Sequence, residues 1–321
     1  MKRFFAIVLA VVMLLSMMAF AGCSKKDDKV TIGIAIYSMG ADSCVLLVDD
    51  AKKAAEKYGW EIMLLDANGD PSVQADQMAT LIAAEVDAII LNPTDTTSLI
   101  PSIKAAKEAG IPVCGVGMEM DQEAMDELLF FAGIDDYSLA FAGSSWIAEN
   151  YKDQKASVAL ITGNAGTDPT NKTINAFKAA FEGTDVVSLG DYAADFDTAK
   201  AMAITEDLLV EHPEIKAIFC QDHVMAAGAA EAIADANKTG EVAVVATVGV
   251  SDYLSYVKDG KITSAAYVLL WKCGSFAINT LHDYLTNGTK PAAKYYADPV
   301  MITKDNLASA DTVEFVFSPV K

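Results

Sequence analysis

Hydrophobic and polar positions divide the chain into an apolar head, a short polar stretch and a long alternating body. Met1-Lys2-Arg3 leads into a nearly unbroken apolar run, Phe4 to Phe20. Ala21-Gly22-Cys23 and the hydrophilic Ser24-Lys25-Lys26-Asp27-Asp28 follow. A cationic start, an apolar stretch and a small-residue junction predict a signal peptide over residues 1–22. The run is also about long enough for a thin bilayer span, so a retained anchor is the competing reading. Residues 23–29 then form a polar tether.

In the body, apolar runs of four to eight residues alternate with amphipathic segments. The runs are Val30–Tyr37, Glu61–Leu65, Ala88–Leu91, Val113–Val116, Ser157–Ile161, Val186–Leu189, Ala217–Cys220, Val242–Val248 and Ile262–Tyr267. They are rich in Val and Ile and continuous rather than alternating. That marks parallel strands covered by helices on both faces. Helices are predicted over Asp42–Tyr58, ending at Gly59, over Ser72–Ala84 after Asp70-Pro71, and over Ser98–Ala109, ending at Gly110. The βα alternation appears once in the first half and again in the second. This predicts an α/β fold of two Rossmann-like lobes with parallel sheets. No Pro/Ser/Gly linker separates the halves, so short crossovers rather than a loose tether are expected between them.

Ligands of open parallel sheets bind outside the carboxyl ends of the strands. Here those ends are Tyr37-Ser38-Met39-Gly40, Asn92-Pro93-Thr94-Asp95, Gly117-Met118-Glu119, Gly163-Asn164-Ala165-Gly166-Thr167, Gln221-Asp222-His223 and Gly249-Val250-Ser251-Asp252. They are polar, glycine-punctuated and spread over both halves. Two such rims facing each other would form a cleft for a small solute.

Charge and cysteine content narrow the function. With 24 basic and 44 acidic residues the net charge is −20, which disfavours nucleic acid as a partner. The five cysteines, Cys23, Cys44, Cys114, Cys220 and Cys273, are widely spaced without a Cys-x-x-Cys. Those in strand-like runs read as small buried hydrophobes, with a structural disulfide as the alternative. No Gly-x-Ser-x-Gly, His-Glu-x-x-His or Gly-Lys-Ser/Thr loop occurs, so no enzyme, cofactor or metal is expected. Gly163-Asn164-Ala165-Gly166-Thr167 could pass for a phosphate cradle but lacks the lysine.

Two resemblances sharpen this reading. Ala21-Gly22 before Cys23 resembles a bacterial lipobox, although Phe20 stands where that pattern has a smaller aliphatic residue. It implies a Cys23 acylated as the new N-terminus and a protein anchored outside the cytoplasm by its lipid. From about Val30 to about Asn306, Leu91-Asn92-Pro93-Thr94-Asp95, Ala165-Gly166-Thr167, Ala194-Asp195-Phe196-Asp197, Ala217-Ile218-Phe219-Cys220-Gln221-Asp222 and Lys258-Asp259-Gly260-Lys261 resemble type I periplasmic solute-binding proteins of the ribose-binding class. That implies two lobes joined by three hinge crossings, near Gly133-Ile134, Val268-Leu269 and Asp298-Pro299. They would close on a solute, a sugar or sugar-like compound, and hand it to an ABC permease. The implied lobes are 30–133 with 269–297, and 134–268 with 298–321.

The resemblance places ligand-binding residues one by one. Asn92 matches a residue that bonds sugar hydroxyls, Phe196 an aromatic that stacks on the ring, and Asp222 stands at the place of a ligand-bonding Asn. Ser43 and Cys44 stand where a Phe pair occurs, Gly117-Met118 replace an Asp-Arg pair, and Asn171 replaces an Arg. Ser251 or Asp252 falls near a family Asp. With Ser38 and Asp42 on the first rim, the expected site is Ser38, Asp42, Ser43, Asn92, Met118, Asn171, Phe196, Asp222 and Ser251. Four of these have plain structural alternatives: a turn before Pro93 for Asn92, core packing for Phe196 and helix capping for Asp222 and Asp42. The missing arginines leave the sugar open, so a nucleoside, amine or signalling molecule is the alternative solute. Presentation to a chemotaxis or sensor-kinase receptor is the alternative role. Rim acids without a matching Arg make an amine-bearing solute conceivable.

Overall fold

A computed structural model describes residues 29–152, 154–249, 253–312 and 315–320. Cys23, the signal peptide, Ser251 and Asp252 lie outside the described residues. Two sheets organise the rest. The first contains β1 (Thr31–Ile36), β2 (Glu61–Asp66), β3 (Ala88–Leu91), β4 (Val113–Gly117), β5 (Phe130–Gly133), β11 (Lys294–Ala297) and β13 (Phe317–Pro319), in the order β13-β11-β5-β4-β3-β1-β2. The second contains β6 (Ser157–Thr162), β7 (Val187–Ala193), β8 (Ile215–Cys220), β9 (Ala243–Val248), β10 (Ser264–Tyr267) and β12 (Val300–Thr303), in the order β12-β10-β9-β8-β6-β7. All pairs are parallel except β10 with β12 and β11 with β13.

The expected continuous runs behave as expected where they are central. Ile32, Ile34 and Ile36 of β1 face one core, with Leu47, Val48 and Ala51 of α1 (Asp42–Lys57) and Ile278 and Leu281 of α10 (Cys273–Asn287). Ala35, Ile89 and Leu91 face the other, with Met78 and Leu81 of α2 (Pro71–Ala83) and Ile103 of α3 (Ile100–Glu108). After the single turn α4 (Gln122–Met125), the second lobe repeats this sandwich with α5 (Asp136–Tyr151) and α6 (Asp168–Ala180) on one face. On its other face lie α7 (Thr198–Glu211), α8 (His223–Asp235) and the short α9 (Leu254–Lys258). Among the predicted runs, the edge strands β2 and β7 depart from the buried pattern. Each is half-exposed along its length because it has a neighbour on one side only.

Helix starts are fixed by carboxylates. Asp70 accepts from the Ser72 and Val73 amides, with Pro71 at the first helical position. Asp135, Asp197 and Asp222 accept likewise from Ser138, Lys200 and Met225 at α5, α7 and α8. Asp42 does not cap α1. The residue at that place is Ala41, without a side-chain bond, and Asp42 lies in the first turn. The four described cysteines, Cys44, Cys114, Cys220 and Cys273, are free and buried, so the disulfide alternative is not realised.

The chain passes between the sheets after β5, after β10, between β11 and β12, and again between β12 and β13. The expected second-lobe segment 298–321 needs correction at its end. Phe317–Pro319 pairs antiparallel with β11 in the first sheet. The reason is apolar: Phe317 stacks on Phe276 of α10 with centroids 4.3 Å apart, closing the β11 edge.

Candidate functional site

On the second lobe, the carboxyl ends of the strands surround a cavity of about 230 Å³ beside the crossings. The turn Ala194-Asp195-Phe196-Asp197 supplies its aromatic wall. Asp195 and Phe196 both adopt left-handed backbone, φ 53° and 59°. Two such non-glycine residues in succession store strain that the surroundings must hold. Lys200 Nζ bonds the Asp195 carboxylate at 2.7 Å, and Asp197 caps α7. Between those two anchors the Phe196 ring is laid over Gly163: a Cβ there would fall 2.1 Å from its Cζ. The ring remains 40% exposed and lines the cavity. Phe196 thus packs locally and still offers a face.

Gln221 and Asp222 follow β8. Gln221 is buried, and its Oε1 accepts from the Gly163 amide at 2.8 Å and from Thr170 Oγ1 at 3.2 Å. Its carbonyl accepts from Thr247 Oγ1. The ends of β6, β8 and β9 are thereby fixed to each other. Asp222 accepts from the Met225 amide at 2.9 Å and also lines the cavity. Burial pushes its carboxyl above the ordinary value, and the cap bond only partly opposes this. Burial lowers the neighbouring His223, whose ring lies against Tyr253 at 4.1 Å. Asp136, in the first turn of α5, is a second carboxyl of the wall raised by burial.

The first lobe presents the opposite rim, and its polar groups are largely committed to the fold. Asn92 Oδ1 accepts from the Tyr37 amide at 3.3 Å, and its Nδ2 donates to the Val116 carbonyl at 3.0 Å. It stitches β1, β3 and β4 together. Gly117 is required beside it, with φ 86° and a hypothetical Cβ 2.8 Å from Asn92 Nδ2. Ser38 Oγ accepts from the Gly40 amide at 3.1 Å. Asp42 and Ser43 are exposed at the start of α1, and Met118 is exposed after β4. Glu119 is not a free acid: Lys294 Nζ and Tyr296 OH, the latter at 2.8 Å, donate to it. Burial raises this carboxyl, but those two donors outweigh it and hold it below the usual range.

Of the expected site residues, the structure brings Phe196 and Asp222 to one cavity. Ser38, Asp42, Ser43, Asn92 and Met118 lie on the first lobe, outside its lining, and Asn171 is exposed with Nδ2 donating to the Gly166 carbonyl at 3.4 Å. Asp136, Pro169 and Thr247 line the cavity without having been expected. Asp136 had one findable signal, the apolar run Phe130–Gly133 just before Asp135-Asp136. A larger groove of about 560 Å³ lies between α1 and α10, away from the carboxyl ends of the strands. Among the described residues no His, Cys, Asp and Glu cluster could hold a metal ion. No described helix is long and apolar enough to cross a membrane.

Comparison with known proteins agrees with this geometry. Residues 32–290 match the periplasmic binding protein domain. The ribose import binding protein of Escherichia coli is 29% identical over 95% of this chain and 99% of its own. That of Bacillus subtilis is 29% identical over 82% of this chain and 84% of its own. Among solved structures, a periplasmic ribose ABC transporter protein from Conexibacter woesei superposes with TM-score 0.78 at 22% identity, covering 89% of this chain and 95% of its own. A solute-binding protein from Actinobacillus succinogenes with bound D-allose gives TM-score 0.70 at 25% identity, covering 88% of this chain and all of its own. With two parallel-sheet lobes, a cavity at their carboxyl ends and a family match over most of its length, this chain belongs to the periplasmic binding protein family, as a type I solute-binding protein of ABC importers.

Proposed function

We propose that this protein captures a small sugar or sugar-like solute between its lobes outside the cytoplasm and delivers it to an ABC permease. The observation that carries this is the second-lobe cavity, where a presented aromatic face and hydrogen-bonding carboxyls share one wall. A polyol must exchange its water hydrogen bonds for protein ones, and an aromatic face covers the apolar side of a sugar ring. Relatives named for ribose import support the solute class. A thermal-shift screen over pentoses, hexoses, inositols, nucleosides and polyamines tests it, since a solute that binds only the folded state raises the melting temperature. Carbohydrates are expected to give the shifts. Shifts from nucleosides or polyamines alone would reject the sugar reading.

The same proposal includes a lipid anchor at Cys23. Its support is Ala21-Gly22-Cys23 after the apolar run. Cys23→Ser is expected to abolish acylation and release the protein from membranes. A serine variant that still carries lipid would remove the anchor from the proposal.

A further inference from the structure

The cavity wall is anionic, and among the described residues no lysine or arginine lines it. Asp136 and Asp222 both line it. Arginine is absent from the whole chain after Arg3, so no guanidinium fork is available to hold a carboxylate or phosphate. Lys172 offsets part of the effect of burial on Asp136, but its ammonium is bonded to Asp168 at 2.9 Å. On the facing rim Lys294 is occupied by Glu119. His223, the remaining basic group of the wall, has its charged form disfavoured by burial.

A half-buried carboxylate without a counter-charge is costly, and a ligand cation removes that cost while forming charge-assisted hydrogen bonds. A ligand anion would be repelled by both acids. Phe196 adds a flat face, which selects a ring over a flexible chain. The cavity, about 230 Å³, is below the usual range for drug-sized ligands and suits one small ring.

We infer that the solute carries a positive charge: a single small polyhydroxylated ring bearing a protonated amine, held by Asp136 and Asp222 against Phe196. This rests on the sugar-capture reading and specifies its substrate class. The amine takes the place of an absent arginine as the partner of the cavity acids, and both acids act as specificity determinants.

Calorimetric titration of the purified protein compares matched probes: glucosamine with glucose, galactosamine with galactose, and glucuronate as the anion. The amine of at least one pair is expected to bind about tenfold or more tighter than its parent, with glucuronate silent and added salt eroding the preference. Asp136→Asn and Asp222→Asn are each expected to pull the amine-to-parent ratio towards one. Asparagine also caps helices, so the Asp222 variant keeps the start of α8, and a melting curve confirms that both variants fold. Parent sugars that bind as tightly as their amines, or a ratio untouched in both folded variants, overturn the inference and leave the sugar reading standing. Binding of putrescine but of no ring compound overturns the ring and the sugar reading together. Silence from every probe overturns both.

Discussion

Gly163 and Phe196 show how one residue can serve the site through another. The Phe196 ring reaches its position only because Gly163 has no Cβ. Alanine at 163 needs no unusual backbone, and the atoms it meets are the far end of a rotatable ring. The ring therefore swings away at little cost to the fold. Gly163→Ala is expected to change stability by less than about 1 kcal/mol while weakening solute binding about tenfold. Chemical denaturation and titration on one sample separate the two, and an unchanged affinity would remove Phe196 from the solute wall. Asn92 teaches the reverse. Its type and place suggest a ligand contact, but its amide is already engaged with the Tyr37 amide and the Val116 carbonyl. Residue type at a strand end marks a position in the cleft. It does not reveal how much hydrogen-bonding capacity the fold has taken, nor, for Asp42, which residue caps a helix.

At the scale of elements, each lobe contains a helix pair drawn together by a glycine. Gly274 of α10 meets α1 so closely that a Cβ would lie 2.3 Å from the Leu47 carbonyl oxygen. A Cβ on Gly228 of α8 would likewise lie 2.1 Å from the Thr198 carbonyl oxygen of α7. Alanine would gain about 1 kcal/mol of helix propensity at either place. The atoms it strikes are backbone, which cannot rotate aside, so overpacking wins. Gly274→Ala is expected to destabilise by about 1–3 kcal/mol net, and a midpoint equal to or above the parent's would refute the close approach. The central strands were legible because burial on both faces writes a continuous apolar run. β5, β11, β12 and β13 went unread for separate reasons. β5 is a four-residue run ending in Gly133, β11 and β12 are four-residue segments carrying polar side chains, and β13 is three residues ending in Pro319, with β12 and β13 paired on one side only. Missing β5 also hid Asp136, since the rim residue is found by knowing where the strand ends.

The whole molecule places two incomplete rims on separate bodies. Phe196, Asp136 and Asp222 stand on the second lobe, and Ser38, Asn92 and Met118 on the first, with no side chain of the first-lobe rim in the cavity lining. The two-lobe plan was legible from the repeated alternation of strand and helix, but the return of β13 to the first sheet was not, because three residues ending in Pro319 are too short to write a strand pattern. A solute small enough for this cavity can touch both rims only if the lobes approach. The peptide segments after β5, after β10 and between β11 and β12 are short enough to act as hinges and long enough to absorb a rotation. Solute contacts made only in the approached state then supply the free energy that favours it. Closed lobes would also give a permease a shape that differs from the unloaded one. Small-angle scattering with and without saturating solute is expected to show a smaller radius of gyration in the loaded protein. An unchanged radius, with binding verified on the same sample, would exclude closure and assign recognition to the second-lobe cavity alone.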